Sequence, residues 1–424
     1  MMPPADLTVD AAPPNRIPSA MRASVPLSRR LGRWLAPLRL GAVQAPRRAL
    51  LSYLTAPFCS GLGWRAPVVR HSNRIECREM LATLHALGYA VDVVDHDCRR
   101  ALDFAPYELV LGFGHPFAES FFCPRFRGLR LMYCTGANPA YSMPAEAERA
   151  RYFRERHGFF PRPRKNVDVP WSFPMVNADA LLIIGNEWTL STYRAFNPRL
   201  HALPAPTIRQ YRCGDADADA NDTIAAACAG TPVAHATADS RPSEHFLWFG
   251  GNGAVHKGLD LLIDALATLE RPVQLSVCGR IAGEDDVLQY YRARDFGALQ
   301  IRWHDFIAVD SPAFTQLARE HDFVVLPSCS EGSATSLLNC MAEGVIPVMT
   351  RECGIEPLDF GIPIAAPSVA GVRAALLQAC AVPAEERRQR RQRAAQRARL
   401  AHSPAAFHDS LRAALQQVLA TATT

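Results

Sequence analysis

The sequence predicts an α/β protein with two doubly wound domains, and three observations carry that reading. Short apolar runs bounded by Gly, Pro, Asp or Asn alternate with amphipathic stretches, which is strand, helix, strand in repetition and implies parallel sheets covered on both faces. The alternation lapses between Tyr211 and Glu244, where GDADADAND, an alanine-rich patch and TPVAHATADSRPSE show no sustained period, and then restarts. The 424 residues, 49% of them hydrophobic, suffice for two cores.

Taken in order, residues 1 to about 27 are rich in Pro, Ala and Ser and read as a disordered tail. From Leu27 to Phe58 apolar residues alternate with Arg29, Arg30, Arg33, Arg39, Arg47 and Arg48, a stretch that either lies on an anionic membrane surface or packs as a helix on its own domain. Residues 1–60 are therefore set apart from a first domain at 61–206. That domain opens with Ala66 to Arg70 and a helix over Ile75–Leu87, stopped by Gly88. The runs Ala90–Val94, Glu108–Gly112, Leu129–Cys134 and Ala180–Ile184 are its further strands. A linker takes 207–243.

The second domain, 244–400, shows the pattern more clearly: HFLWFGG, a helix Gly258–Leu269, VQLSVCG, QIRWHDF, a helix Pro312–Arg319, DFVVLPS, a helix Ser336–Glu343 and VIPVMT. The run AEERRQRRQRAAQRARL is helical, with seven arginines from Arg387 to Arg399 that either form a solvated face or bind phosphate or membrane. Ser403-Pro404 opens a last helix, so 401–424 forms a closing element.

Composition narrows the function. A net charge of +5 is too weak and too diffuse to indicate nucleic acid. Twelve cysteines stand singly, without zinc spacing, as in a cytoplasmic protein with reduced thiols. No run of about 18 apolar residues and no signal-peptide pattern occurs, which places the protein in the cytoplasm. Of 46 basic residues only Lys165 and Lys257 are lysines, so a surviving lysine invites a functional question.

In doubly wound domains ligands bind beyond the carboxyl ends of the strands. Four such places in the second domain agree. After FLWF comes Gly250-Gly251-Asn252-Gly253, whose backbone N–H groups could approach a phosphate, with Lys257 following. The order Lys-Gly with no Ser or Thr after it excludes a Walker loop, and the dinucleotide fingerprint lacks its third glycine. Gly279-Arg280 and His304-Asp305-Phe306 follow the next two strands. The strand ending in Ser328 runs into Cys329-Ser330-Glu331-Gly332-Ser333-Ala334-Thr335-Ser336 and the helix LLNCMAEG. A helix start with free N–H groups, hydroxyls and one carboxylate suits a sugar nucleotide: the helix takes phosphates and the carboxylate a sugar hydroxyl.

Residues 244 to 365 resemble the retaining nucleotide-sugar glycosyltransferases of glycosyltransferase family four, whose GT-B fold sets two Rossmann-like domains across a cleft. FGGNGAVHKGLDLLIDAL, VQLSVCGR and DFVVLPSCSEGSATSLLNCMAEGVIPVMT carry the resemblance, in that order. It implies that Lys257 and the Gly250–Gly253 loop hold the donor diphosphate, Glu331 the donor sugar, and Asn339 a ribose or phosphate. Asn339 stands where the family usually has a second glutamate, and Asn252 where it often has an arginine, for which Arg280 is the candidate replacement. Relatives often place a histidine near the position of Asn138.

The resemblance further implies retention without metal or cofactor, with a leaving phosphate oxygen helping to deprotonate the acceptor and fixed donors stabilising the diphosphate. The first domain would supply the acceptor surface, with His71, Asn73, His115, Asn138 and Asn186 at strand ends. The expected partners are a nucleotide sugar and a saccharide or lipid-linked acceptor, at the inner face of the membrane. Two Asp-x-Asp strings, within 215–219 and at Asp95-His96-Asp97, are the formal alternative for a metal-dependent transferase. A sugar-nucleotide-binding protein without transfer, and an epimerase of the same fold, stay open beside the transferase.

Overall fold

The computed structural model describes residues 37–40, 47–58, 71–163, 171–209, 244–269, 271–281 and 283–422. The N-terminal tail, Arg29, Arg30, Arg33, the run Ala66–Arg70, Lys165 and most of the linker lie outside the described residues.

The first sheet contains β1 (Leu38–Leu40), β2 (Arg47–Tyr53), β3 (Tyr89–Asp95), β4 (Leu109–Gly112), β5 (Leu129–Cys134), β6 (Ala180–Ile184) and β7 (Leu200–Leu203). Among them lie the helices α1 (Ser72–Ala86), α2 (His115–Glu119), α3 (Pro139–His157), α4 (Ser172–Asn177) and α5 (Glu187–Ser191). Its order is β1-β3-β2-β4-β5-β6-β7, parallel except where the edge strand β1 runs antiparallel to β3.

The second sheet runs β10-β9-β8-β11-β12-β13, parallel throughout, from β8 (His245–Phe249), β9 (Val273–Cys278), β10 (Leu299–His304), β11 (Phe323–Leu326), β12 (Ile346–Met349) and β13 (Ile362–Pro363). Its helices are α6 (Leu259–Ala267), α7 (Asp285–Arg292), α8 (Pro312–Arg319), α9 (Thr335–Ala342), α10 (Val369–Ala381) and α11 (Ala384–Ala401), and α12 (Pro404–Ala422) ends the chain. Strand order reverses between β8 and β11, so the crevice of this sheet opens past Phe249 and Leu326.

Two boundaries differ from the expectation. Arg47–Tyr53 is no surface segment: it is an inner strand, with Ala49, Leu50 and Leu51 fully buried. Its arginines are absorbed by acids of neighbouring strands. Arg47 meets Glu108 at 2.9 Å and Arg48 meets Asp92 at 2.5 Å, while Arg39 lies 3.4 Å from Asp92. The first domain therefore starts before residue 61. At the other end, α12 packs back onto α1 and the β6–β7 edge, with His408 3.3 Å from Glu79, so it completes the first domain.

Most arginines of α11 are also paired within the fold. Arg387 and Arg391 meet Asp322, Arg390 meets Glu386, Arg393 meets Asp359, and Arg399 donates to the carbonyl of Ala342. Among the described residues no helix is long and apolar enough to cross a membrane.

Candidate functional site

The switch point between β8 and β11 brings the two strongest sequence signals together. After β8 the chain turns through Gly250–Gly253 and a helical turn to Gly258, where α6 begins. Gly258 sits at φ +70°, and a Cβ there would lie 2.4 Å from the carbonyl oxygen of Pro327, so glycine lets this turn lie flat against the end of β11. Lys257, 8% exposed, thereby reaches Glu331: Nζ to Oε1 is 2.6 Å. Ser328 Oγ donates to the same carboxylate oxygen at 3.1 Å.

A histidine that sequence reasoning passed over lies behind this pair. His256 is 2% exposed, its Nε2 lies 2.6 Å from the carbonyl oxygen of Ser330 and 3.8 Å from Glu331, and its Nδ1 lies 3.4 Å from Cys329 Sγ and 3.7 Å from Glu146 of α3. Nε2 donates to the carbonyl it faces, while Nδ1 lies between the thiol and the carboxylate. Its neighbour Lys257 was the better signal only because lysine is so rare here.

The glycine loop is not as free as expected. Gly253 and Ala254 donate their N–H groups to Glu284 Oε2 at 2.7 and 2.8 Å, Val255 donates to Oε1 at 3.4 Å, and Gly250 donates to the carbonyl of Cys278 at 3.0 Å. Gly251 has open space around its α-carbon. Asn252 lies beside it on the loop. Arg280, Asp305 and Phe306 are exposed at the carboxyl ends of β9 and β10. They border the same end of the sheet.

On the other flank, Ser333 Oγ donates to the carbonyl of Gly354 at 3.4 Å and Thr335 opens α9. Ser336 Oγ is buried without a hydrogen-bond partner among the described residues. Asn339 does not face a ligand. It is 2% exposed, its Oδ1 accepts from Ile208 N at 2.9 Å, and its Nδ2 donates to the carbonyl of Thr335 at 2.7 Å. One helical turn into α9, it holds the start of the linker instead.

First-domain candidates divide similarly. Asn138 is fully buried, capping α3 through Ala140 N at 2.8 Å and donating to Met175 Sδ, so it presents nothing to a cleft. Asn186 caps α5 and donates to Glu356 of the second domain at 2.7 Å. His71 caps α1 through Asn73 N, and His115 Nδ1 lies 2.8 Å from Arg99. The ligand atoms of Asp95, His96 and Asp97 cluster within 4.8 Å, with His96 3.3 Å from Asp97.

The two domains meet through α3, which no sequence signal marked. Arg149, 4% exposed, donates to the carbonyls of Val255 at 3.2 Å and Pro327 at 3.0 Å, the two turns that carry Lys257 and Ser328. Arg156 pairs with Asp260 and Asp264 of α6, and His157 lies 3.0 Å from Asp264. Thr189 Oγ1 donates to the carbonyl of Gly332 at 2.9 Å, and Ala137 N to that of Glu331 at 3.1 Å. A cavity of about 370 Å³ lies beside these contacts, lined by Tyr141, Arg149, Tyr152, Cys329, Glu352 and Ser368. A larger hollow, about 690 Å³, opens at the amino-terminal ends of β2, β3 and β5, beside Arg47, Tyr89 and Leu129.

Comparison with known proteins agrees with this arrangement. Residues 243–381 match the family described as Glycosyl transferases group 1. The second domain is similar to a glycosyltransferase domain. The enzyme is thus a transferase, and its two facing parallel-sheet domains have the GT-B fold seen in solved relatives. The sucrose-phosphate synthase of Thermosynechococcus elongatus superposes with a TM-score of 0.58 at 14% identity, over 89% of this chain and 100% of that one. Anabaena HepE, solved with UDP and glucose, gives 0.53 at 12% identity, over 88% and 99%. No curated protein matches the chain in sequence.

Proposed function

We propose that the chain is a retaining, metal-independent glycosyltransferase that moves a sugar from a nucleotide-sugar donor to a saccharide or lipid-linked acceptor, in the synthesis of a bacterial surface polysaccharide. The observation that carries this reading is the 2.6 Å Lys257–Glu331 pair at the switch point of the second sheet. A diphosphate entering the crevice would take the Lys257 ammonium as its counter-charge, and Glu331, still held by Ser328, would accept a hydrogen bond from a sugar hydroxyl. Negative charge then grows on the leaving diphosphate, against a cation already in place. The Ser336 hydroxyl, buried at the start of α9 and unpartnered among the described residues, would add a donor on the phosphate side. Phe306, 47% exposed beyond β10, offers a face on which a base could stack.

Two observations favour a second reading, binding without transfer. Asn339 is committed to the backbone, and the Gly253 amide is committed to Glu284. One experiment separates the two. The purified chain is incubated with a panel of nucleotide sugars, UDP-glucose included, with and without oligosaccharide and lipid-linked acceptors, and free nucleotide is followed. Acceptor-dependent release supports transfer, and binding without release under every acceptor supports the second reading. Conversion of one nucleotide sugar to another without acceptor would identify an epimerase.

A further inference from the structure

Glu284 immediately precedes α7, the place of a helix-capping residue, yet its side chain makes no capping bond to its own helix. The carboxylate turns instead to another segment, where it is 4% exposed and accepts from three consecutive backbone amides, those of Gly253, Ala254 and Val255. Those amides start the turn whose later bonds run from Lys257 N to Gly253 O at 2.8 Å, from Leu259 N to Ala254 O at 2.9 Å and from Gly258 N to Val255 O at 3.0 Å. The first amides of such a turn have no partner within it. Glu284 supplies one from outside, with charge-assisted bonds in a dry place.

We infer that Glu284 is a positioning residue of the donor site: it locks the turn that aims Lys257 at Glu331, and it takes the loop amides so that the donor's diphosphate depends on Lys257. The inference rests on the reading of the crevice as a nucleotide-sugar site. Two features give it content beyond general stability. The turn it holds carries Lys257 four residues after Gly253, and the Lys257 carbonyl is fixed in turn by Trp248 Nε1 at 3.3 Å. A carboxylate is also the worst neighbour for an approaching phosphate unless its charge is already spent on donors, as it is here.

The test compares Glu284→Ala and Glu284→Gln with the unmutated chain, by backbone amide exchange at residues 253–258 and by donor KM and kcat. Glu284→Ala should speed exchange at Gly253–Lys257 and lower kcat/KM about tenfold or more, through kcat as well as donor KM; Glu284→Gln, which keeps the shape and one acceptor oxygen, should recover at least part of both. Faster exchange with kcat and donor KM both unchanged would mean general structural support only. Tighter donor binding in Glu284→Ala would mean that the carboxylate competes with the phosphates for the amides. Either result overturns the inference, as does unchanged exchange. Faster exchange in a chain that turns over no nucleotide sugar removes the functional reading and the positioning role with it; turnover with unchanged exchange removes the Glu284 inference alone.

Discussion

Arg156→Ala puts the largest single electrostatic demand on the domain contact. The Arg156 guanidinium, at the end of α3, meets both Asp260 and Asp264 of α6, and its side chain is 16% exposed while that of Asp260 is fully buried. Asp260 Oδ1 has no hydrogen-bond partner among the described residues, and Arg156 donates to the other oxygen of this carboxylate. Burial holds the Asp260 carboxyl above its ordinary value, with Arg149 and Arg156 working against that rise. Removing one partner of a buried pair costs about 3–5 kcal/mol. At roughly 2–4 °C per kcal/mol for domains of this size, the melting temperature should fall on the order of 10 °C. The pH dependence has a definite sign. A carboxyl whose folded-state value is raised binds its proton more tightly in the folded chain, so stability drops as pH climbs from the ordinary carboxylate range through that value. Without Arg156 the rise is larger, and the deficit should be greater at about pH 7.5 than at about pH 5. Calorimetry of the unmutated chain, Arg156→Ala and Arg156→Ala/Asp260→Asn at both pH values checks this, with the double variant recovering much of the loss. Melting of Arg156→Ala within a degree of the unmutated chain at both pH values would refute the reasoning.

His402, at the joint between α11 and α12, is held down to about 4 by burial, against a bond to the carbonyl of Ala205 at 3.1 Å. Its stabilising neutrality is fully present above the ordinary value of about 6.5 and is lost as pH falls toward 4, roughly 3 kcal/mol in all; His402→Asn should flatten the stability profile between those values in chemical denaturation. Gly332→Ala would put a Cβ 2.8 Å from the carbonyl oxygens of Ile184 and Thr135, atoms of the first domain that cannot swing away. It should lower kcat/KM about tenfold or more by displacing Glu331 from its aim, with a melting shift of only a few degrees, measured on the same preparation. Arg149→Met removes two buried bonds to the turns bearing Lys257 and Ser328, and should cost about 2–4 kcal/mol in denaturant titration.

Four inner strands of the first sheet and the first five strands of the second domain were legible because their apolar runs are bounded by glycine, proline, aspartate or asparagine, whereas the short edge strands β1, β7 and β13 and the helices α7 and α10 carried too little pattern to be read. Arg47–Tyr53 was hidden because its two arginines made a buried strand look like a surface segment; only the tertiary neighbours Glu108 and Asp92 reveal them as paired. The return of α12 to the first domain has no local signature at all. At the site, Lys257, Ser328 and Glu331 were readable from their place after strands. Asn138, Asn186 and Asn339 were misleading, since asparagine also bonds nearby backbone, and two of the three cap helices. Glu284 was missed because a run of three acids at a helix start reads as ordinary capping, and nothing local says that its first carboxylate caps a different turn.

The most direct test of the account is Lys257→Arg. Lys257 is 8% exposed and its ammonium lies 2.6 Å from Glu331, where a planar guanidinium does not present the same compact charge. Nucleotide release at saturating donor and acceptor should fall on the order of 100-fold while the melting temperature stays within a few degrees. Release at the unmutated rate would contradict the assignment of Lys257 to the diphosphate, and with it the central claim.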